Sequence, residues 1–174
     1  MSASCLESIG APLNGSCDIS QFWQNAHLKV QELTDGKIIC LCDTFLGIRH
    51  GPRAAIHDDT LVVCLLASDA HVRRYELDLV RSNRQQRLGM AHLVVADRSE
   101  GLVGLADGVV AFDPEGRLAL PDHMVAPVHT MVGQLLGLFA SLEHGLKPDA
   151  PSAGGAIHRV VQGVTIYPRE RRAG

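Results

Sequence analysis

The stretch TLVVCLLAS (60–68) constrains the fold more than any other part of the chain. It offers apolar side chains to both sides of a strand, so neither side can face water. Such a strand sits at the centre of a parallel sheet with helices packed on each side. The segments around it fit that plan. KIICLCDT (37–44), AHLVVAD (91–97) and GVVAF (108–112) read as further strands. Residues 21–33 form a helix on the spacing of Phe22, Ala26, Leu28, Val30 and Leu33, stopped by Asp35-Gly36. Asp69 caps a second helix over about 70–88, with Val72, Tyr75, Leu79 and Val80 inside; Arg73, Arg74, Arg81, Arg84 and Arg87 form a solvated face. A third helix runs from Pro127 to about His144, carried by Val128, Val132, Leu135, Leu136, Phe139 and Leu142. Gly133 and Gly137, four apart, predict a close helix–helix approach.

The connections are short. Gly47, Gly51 and Pro52 predict a bend, with Pro52 opening a short helix. SEGLVGLA (99–106) is too short for a full crossover helix unless one small turn serves. Asp113-Pro114-Glu115-Gly116 is a turn, 145–156 is a loop, and HRVVQGVTIYP (158–168) closes as an extended apolar run. Residues 1–20 lack periodicity and read as irregular. The fold class is α/β, a three-layer αβα arrangement around a parallel sheet whose first strand is doubtful.

Composition narrows function by exclusion. With 174 residues and 46% hydrophobic content, the chain is expected to build one globular core. Lys+Arg total 16 and Asp+Glu 19, so no basic excess points to nucleic acid, and 4% aromatics supply no base-stacking platform. No uninterrupted apolar run predicts a membrane span, and the amino terminus lacks the features of a signal peptide. A soluble, cytoplasmic protein is the expectation. The five cysteines, Cys5, Cys17, Cys40, Cys42 and Cys64, read mainly as small buried hydrophobes. A metal site joining Cys40 and Cys42 to His50 or His57 is the lesser alternative; no metal and no cofactor is expected.

Chemistry enters through a resemblance. AHLKVQELTDGKI (26–38), GIRHGPRAAIHDDTLVVCL (47–65) with VRRYELDL (72–79), and PDAPSAGGAIHRVVQGVTIYP (148–168) together resemble the second sugar isomerase (SIS) domain of the tagatose-6-phosphate ketose/aldose isomerase family, which includes galactosamine-6-phosphate deaminase/isomerases. The resemblance covers 26–168, leaving 1–25 as a poorly matching segment and 169–174 as a tail. It implies a parallel sheet of about five strands, a sugar-phosphate substrate, and isomerisation by proton transfer between C1 and C2. Such a reaction needs a base, an acid for ring opening and a cation beside developing negative charge.

The motif Ala26-His27-Leu28-Lys29-Val30-Gln31-Glu32 is similar to the A-L-K-x-x-E of the related glucosamine-6-phosphate synthase isomerase domain. The resemblance assigns C1–C2 proton transfer to Glu32, charge stabilisation to Lys29 and ring opening to His50. In that relative the histidine crosses a subunit contact, which implies a homodimer. Arg49 and Gly51 join the substrate-binding set; Arg49 meets either a phosphate or a carboxylate, which the sequence does not separate. His158 and Arg159 either line a ligand or cap the domain. By spacing alone, Lys29 and Glu32 are a surface ion pair and His50 a loop residue.

Two departures stand out. The family's phosphate-cradling Ser/Thr loop belongs to an N-terminal half absent from this sequence. The family's Gly-Ser-Gly turn is reduced to Gly15-Ser16 within Leu13–Asp18. Three functions follow as alternatives: one half of an isomerase or deaminase, a non-catalytic phosphosugar-binding module, or an inactive remnant. Its partners are a sugar phosphate, a further copy or the missing half.

Overall fold

The computed structural model describes residues 4–9, 20–152, 154–155 and 163–168. Five strands, β1 (Ser4–Ile9), β2 (Ile39–Thr44), β3 (Thr60–Leu65), β4 (Ala91–Ala96) and β5 (Gly108–Ala111), form one parallel sheet in the order β2-β1-β3-β4-β5. Among the described residues there are four helices, α1 (Ser20–Leu33), α2 (Phe45–His50), α3 (Ala70–Gln85) and α4 (Asp122–Glu143), and one 3-10 turn at Pro52–Ala55.

The central strand is the first correction to the sequence reading. β1 pairs with β2 from Ser4–Ile39 to Ile9–Thr44, and with β3 from Ser4–Thr60 to Ile9–Leu65. Its sequence, SCLESI, lacks the apolar run that marks a buried parallel strand. Backbone pairing on both sides selects it, where side-chain pattern could not. The sheet's edges are therefore β2 and β5.

The strand order places the connections. The chain moves from β1 to β2 in one direction, then returns past β1 to β3. Right-handed crossovers then put α1 and α2 on opposite faces. The packing agrees. On one face Phe45, Ile48 and Ile56 join Leu79 and Val80 of α3 over Val62, Cys64, Val94 and Ala96. On the other, Val30 of α1 and Ala126 and Val132 of α4 cover Cys40, Val63, Leu65 and Val95. β3 feeds both cores through alternate residues, as its apolar sequence requires.

α1 and α4 approach closely. A Cβ at Gly133 would lie 2.6 Å from Ala26 Cβ, and one at Gly137 would lie 3.1 Å from the Lys29 carbonyl oxygen. The predicted glycine-mediated contact is present. α4 starts five residues ahead of Pro127, because a proline near a helix start removes only one hydrogen bond. The segment Met124–Glu143 also has the length and composition to cross a membrane. The sequence reading overlooked it because His129, Thr130 and Gln134 interrupt the apolar run. Here its buried side packs on α1 and the sheet.

One local reading changes and one holds. Gly47 lies inside α2, where a Cβ would meet the Asp43 carboxylate at 2.2 Å, while Thr44 caps the helix by accepting from Gly47 N–H. The β4–β5 connection is a pair of turns, Leu102 N–H to Ser99 and Leu105 N–H to Leu102, which press Leu102 into the core.

Candidate functional site

α1 ends as its sequence demands. Gly36 N–H returns to the Gln31 carbonyl at 2.8 Å, and Asp35 and Gly36 take φ of 52° and 72°. This stop fixes the last turn, which carries Lys29 and Glu32. Lys29 Nζ donates to Glu32 Oε2 at 2.7 Å, and both side chains remain partly exposed. Carboxylate and ammonium are thus held side by side within reach of solvent.

Arg49, His50 and Gly51 lie elsewhere. Arg49 and His50 occupy the last turn of α2, and all three residues are exposed. α2 follows the carboxyl end of β2, on the face opposite α1. Lys29 and Glu32 follow α1 down to the amino end of β2. One chain therefore does not bring His50 to the Lys29–Glu32 pair. The same separation opposes the cysteine–histidine alternative, since Cys40 turns to the α1/α4 core. Among the described residues, no group of three or more His, Cys, Asp or Glu is placed to hold a metal ion. Leu13–Asp18, His158 and Arg159 lie outside the described residues.

A second polar cluster, at the carboxyl ends of β3 and β4, escaped the sequence reading. In a doubly wound sheet this edge is where ligands bind. Arg73 bridges it, donating through Nε to the Ala67 carbonyl at 2.7 Å and pairing with Asp97. Asp122 accepts from Ser68 N–H at 2.8 Å, joining α4 to the β3 loop. Glu76 accepts from Ala67 N–H at 2.9 Å through Oε2, while Oε1 has no hydrogen-bond partner among the described residues. Burial pushes Glu76 up to about 7, against the pull of Ala67 N–H and Arg73. The assignment of Arg73 to a solvated face is corrected, since Arg73 is mostly buried; Arg84 stays exposed, as expected, and grips both Asp107 oxygens at 2.8 and 2.7 Å. Tyr75 lies outside and Glu76 inside, one position from the expected inner stripe. The acidic residues just after two apolar strands were the available signal.

Comparison with known proteins adds the chemistry. D-galactosamine-6-phosphate deaminase AgaS of Escherichia coli is 36% identical over 154 residues, 88% of this chain and 39% of the relative. The corresponding deaminase of Shewanella sp. (strain ANA-3) is 31% identical over 145 residues, 83% of this chain and 34% of its own length. Among solved structures, a Clostridium novyi NT protein with a provisional tagatose-6-phosphate ketose/aldose isomerase name superposes with a TM-score of 0.84 at 30% identity, over 97% of this chain and 42% of that one. The Escherichia coli tagatose-6-phosphate ketose/aldose isomerase superposes at 0.75 with 29% identity, over 95% of this chain and 39% of that one. No protein-family profile matches the chain. The chain spans about two fifths of the length of the curated relatives it matches.

Proposed function

We propose a function from one premise: the chain belongs to the sugar isomerase (SIS) family of tagatose-6-phosphate ketose/aldose isomerases and galactosamine-6-phosphate deaminases. It serves as one half of a cytoplasmic enzyme that isomerises, or deaminates and isomerises, a phosphorylated keto or amino sugar. The observation that carries this reading is the Lys29–Glu32 pair, 2.7 Å apart and open to solvent on a helix whose carboxyl-terminal stop holds it in place.

In this reading Glu32 takes the proton from one sugar carbon and returns it to the neighbouring one. A carboxylate held by an ammonium is oriented for that exchange. Lys29 then turns toward the enediolate or enolamine oxygen, where negative charge develops. His50 opens the sugar ring from another copy of the chain, because its own copy places it on the far face of the sheet. Arg49 and Gly51 travel with it and meet the substrate. The remaining three fifths of the relatives' length supplies the binding energy that positions the reacting carbons, so the chain alone turns over slowly.

The test separates turnover from binding. The 174-residue chain is incubated with galactosamine 6-phosphate, and ammonia and ketose are measured. Little release is expected, and ready turnover would falsify the half-enzyme reading. A thermal-shift titration with several sugar phosphates runs in parallel. A melting-temperature rise without turnover, unaffected by Glu32→Gln, favours the second reading: a phosphosugar-binding module in which Lys29 and Glu32 are only a surface pair.

A further inference from the structure

The backbone ladder of β3 ends at Leu66, whose N–H donates to the Val95 carbonyl at 2.9 Å. The next two residues are held by side chains instead. Ala67 N–H donates to Glu76 Oε2 at 2.9 Å, the Ala67 carbonyl accepts from Arg73 Nε at 2.7 Å, and Ser68 N–H donates to Asp122 Oδ1 at 2.8 Å. Asp69 then caps α3, accepting from His71 and Val72 N–H. The loop 66–69 is therefore fixed by three side chains from two helices. Its place in the fold gives this weight. The strand order β2-β1-β3-β4-β5 reverses between β1 and β3. At such a reversal, the carboxyl ends of the strands border the crevice where doubly wound sheets take their ligands.

Glu76 differs from the other two holders. Arg73 keeps its charge at any ordinary pH, and Asp122 is half-buried at the start of α4. Glu76 is 1% exposed, and its Oε1 meets no hydrogen-bond donor among the described residues. Ionised in place, it would leave one charged oxygen with neither water nor partner, which is costly. Neutral, it keeps the bond to Ala67 N–H through Oε2 and carries the proton on Oε1. The charged groups that face it are Arg73 of its own helix, Asp122 of α4 and Asp69 of the loop. Arg73 is shared with Asp97 at the end of β4. Burial is the largest influence and pushes Glu76 up to about 7; Asp122 and Asp69 push the same way, while Ala67 N–H and Arg73 oppose them.

We propose that Glu76 is a proton-operated latch on the loop 66–69: neutral, it stays buried and holds Ala67; ionised, it turns out to water and releases Ala67 N–H. Arg73 and Asp122 keep the Ala67 carbonyl and Ser68 N–H, so the loop loosens at one point and stays attached at two. A proton thereby sets the freedom of the segment that borders the ligand crevice. The closed form binds the proton more tightly than the open form, in which the carboxyl returns to its ordinary value of 4.5. The latch is therefore firmest below that value, loosens as pH rises, and is loosest once pH has passed about 7. It does not depend on the roles proposed for Lys29, Glu32 and His50.

Amide hydrogen exchange, read residue by residue by NMR, tests the latch. Val63 in β3 and Val94 in β4 serve as references for global opening. Between pH 5.5 and 7.5, protection of Ala67, corrected for the intrinsic exchange rate, is expected to fall about tenfold or more relative to those references. Glu76→Gln cannot ionise at this position and is expected to keep Ala67 protection level over the same range. Level protection in the parent chain overturns the latch, and so does a fall that Val63 and Val94 share in full. Protection that rises with pH overturns it as well, because the ionised carboxylate would then be gripping Ala67 harder. A fall at Ala67 that persists in Glu76→Gln assigns the proton to another group and overturns it too. The parent profile is decisive by itself if the variant does not fold.

Discussion

The two faces of the sheet are built on different principles. The α1/α4 face packs through small residues: Gly133 and Gly137 admit the α1 backbone at Ala26 and Lys29, and the outer surface of α4 stays apolar. The α2/α3 face packs through Phe45, Ile48, Leu79 and Val80, and its helices carry arginines outside. Each face also buries one titratable group on its long helix. Burial pushes Glu76 of α3 up to about 7 and His129 of α4 down to about 4. The α1/α4 face carries Lys29 and Glu32, and the α2/α3 face carries His50.

The sharpest way to break this comparison is chemical. Glu32→Gln in the active assembly is expected to lower proton exchange at the sugar C2 by about a hundredfold or more while substrate still binds. Isotope exchange read by NMR checks it, and unchanged exchange removes Glu32 from the reaction. Next in size is the small-residue contact. Gly133→Leu forces atoms into Ala26 and is expected to cost about 3 kcal/mol or more of stability, while Leu46→Ser on the exposed side of α2 costs under about 0.5 kcal/mol. Urea unfolding of both variants measures the asymmetry.

The buried titratable groups divide the faces by pH. Glu76 binds its proton more tightly folded than unfolded. Its contribution is intact below the unfolded value and is lost as pH rises through about 7. His129 is the reverse: its contribution is intact above the unfolded value and is lost as pH falls through about 4. Glu76→Gln is therefore expected to gain melting temperature over the parent near pH 8.5, by the equivalent of about 1–3 kcal/mol, and nothing near pH 4. His129→Gln is expected to flatten the acid limb and leave the alkaline limb in place. Melting curves across pH that shift in parallel for both variants would remove the distinction. A small effect is also expected at Arg84→Ala, under about 1 kcal/mol by the same unfolding measurement, because the Arg84–Asp107 pair is exposed.

Much of this molecule was legible before folding. The helix at 21–33 and its Asp35-Gly36 stop, the strands after β1, and the close approach at Gly133 and Gly137 all follow from local pattern. SCLESI did not reveal a strand, because a segment with Ser4, Glu7 and Ser8 earns its central place only when β2 and β3 offer backbone partners on both sides. Tyr75, and not Glu76, was expected inside. Tyr75 carries the apolar ring, yet the hydrogen bond of Glu76 to Ala67 N–H and the crossing of α3 over β3 decide which one turns inward. The candidate site was half legible: local spacing put Lys29 beside Glu32, but no spacing could tell that His50 stands across the sheet.

The sequence by itself determined the α/β class, the helix stops, the glycine contact and the motif blocks that tie the chain to its family, since all of these rest on neighbours a few residues apart. Only the tertiary structure decided that β1 lies between β2 and β3, that the predicted site residues fall on opposite faces, and that one arc of α4 remains uncovered. The physical reason is that α4 carries apolar residues on two opposite sides. Local pattern cannot announce which of them faces the core, so the outer line from Met124 to Leu142 becomes visible only after α1 and the sheet have taken the other side.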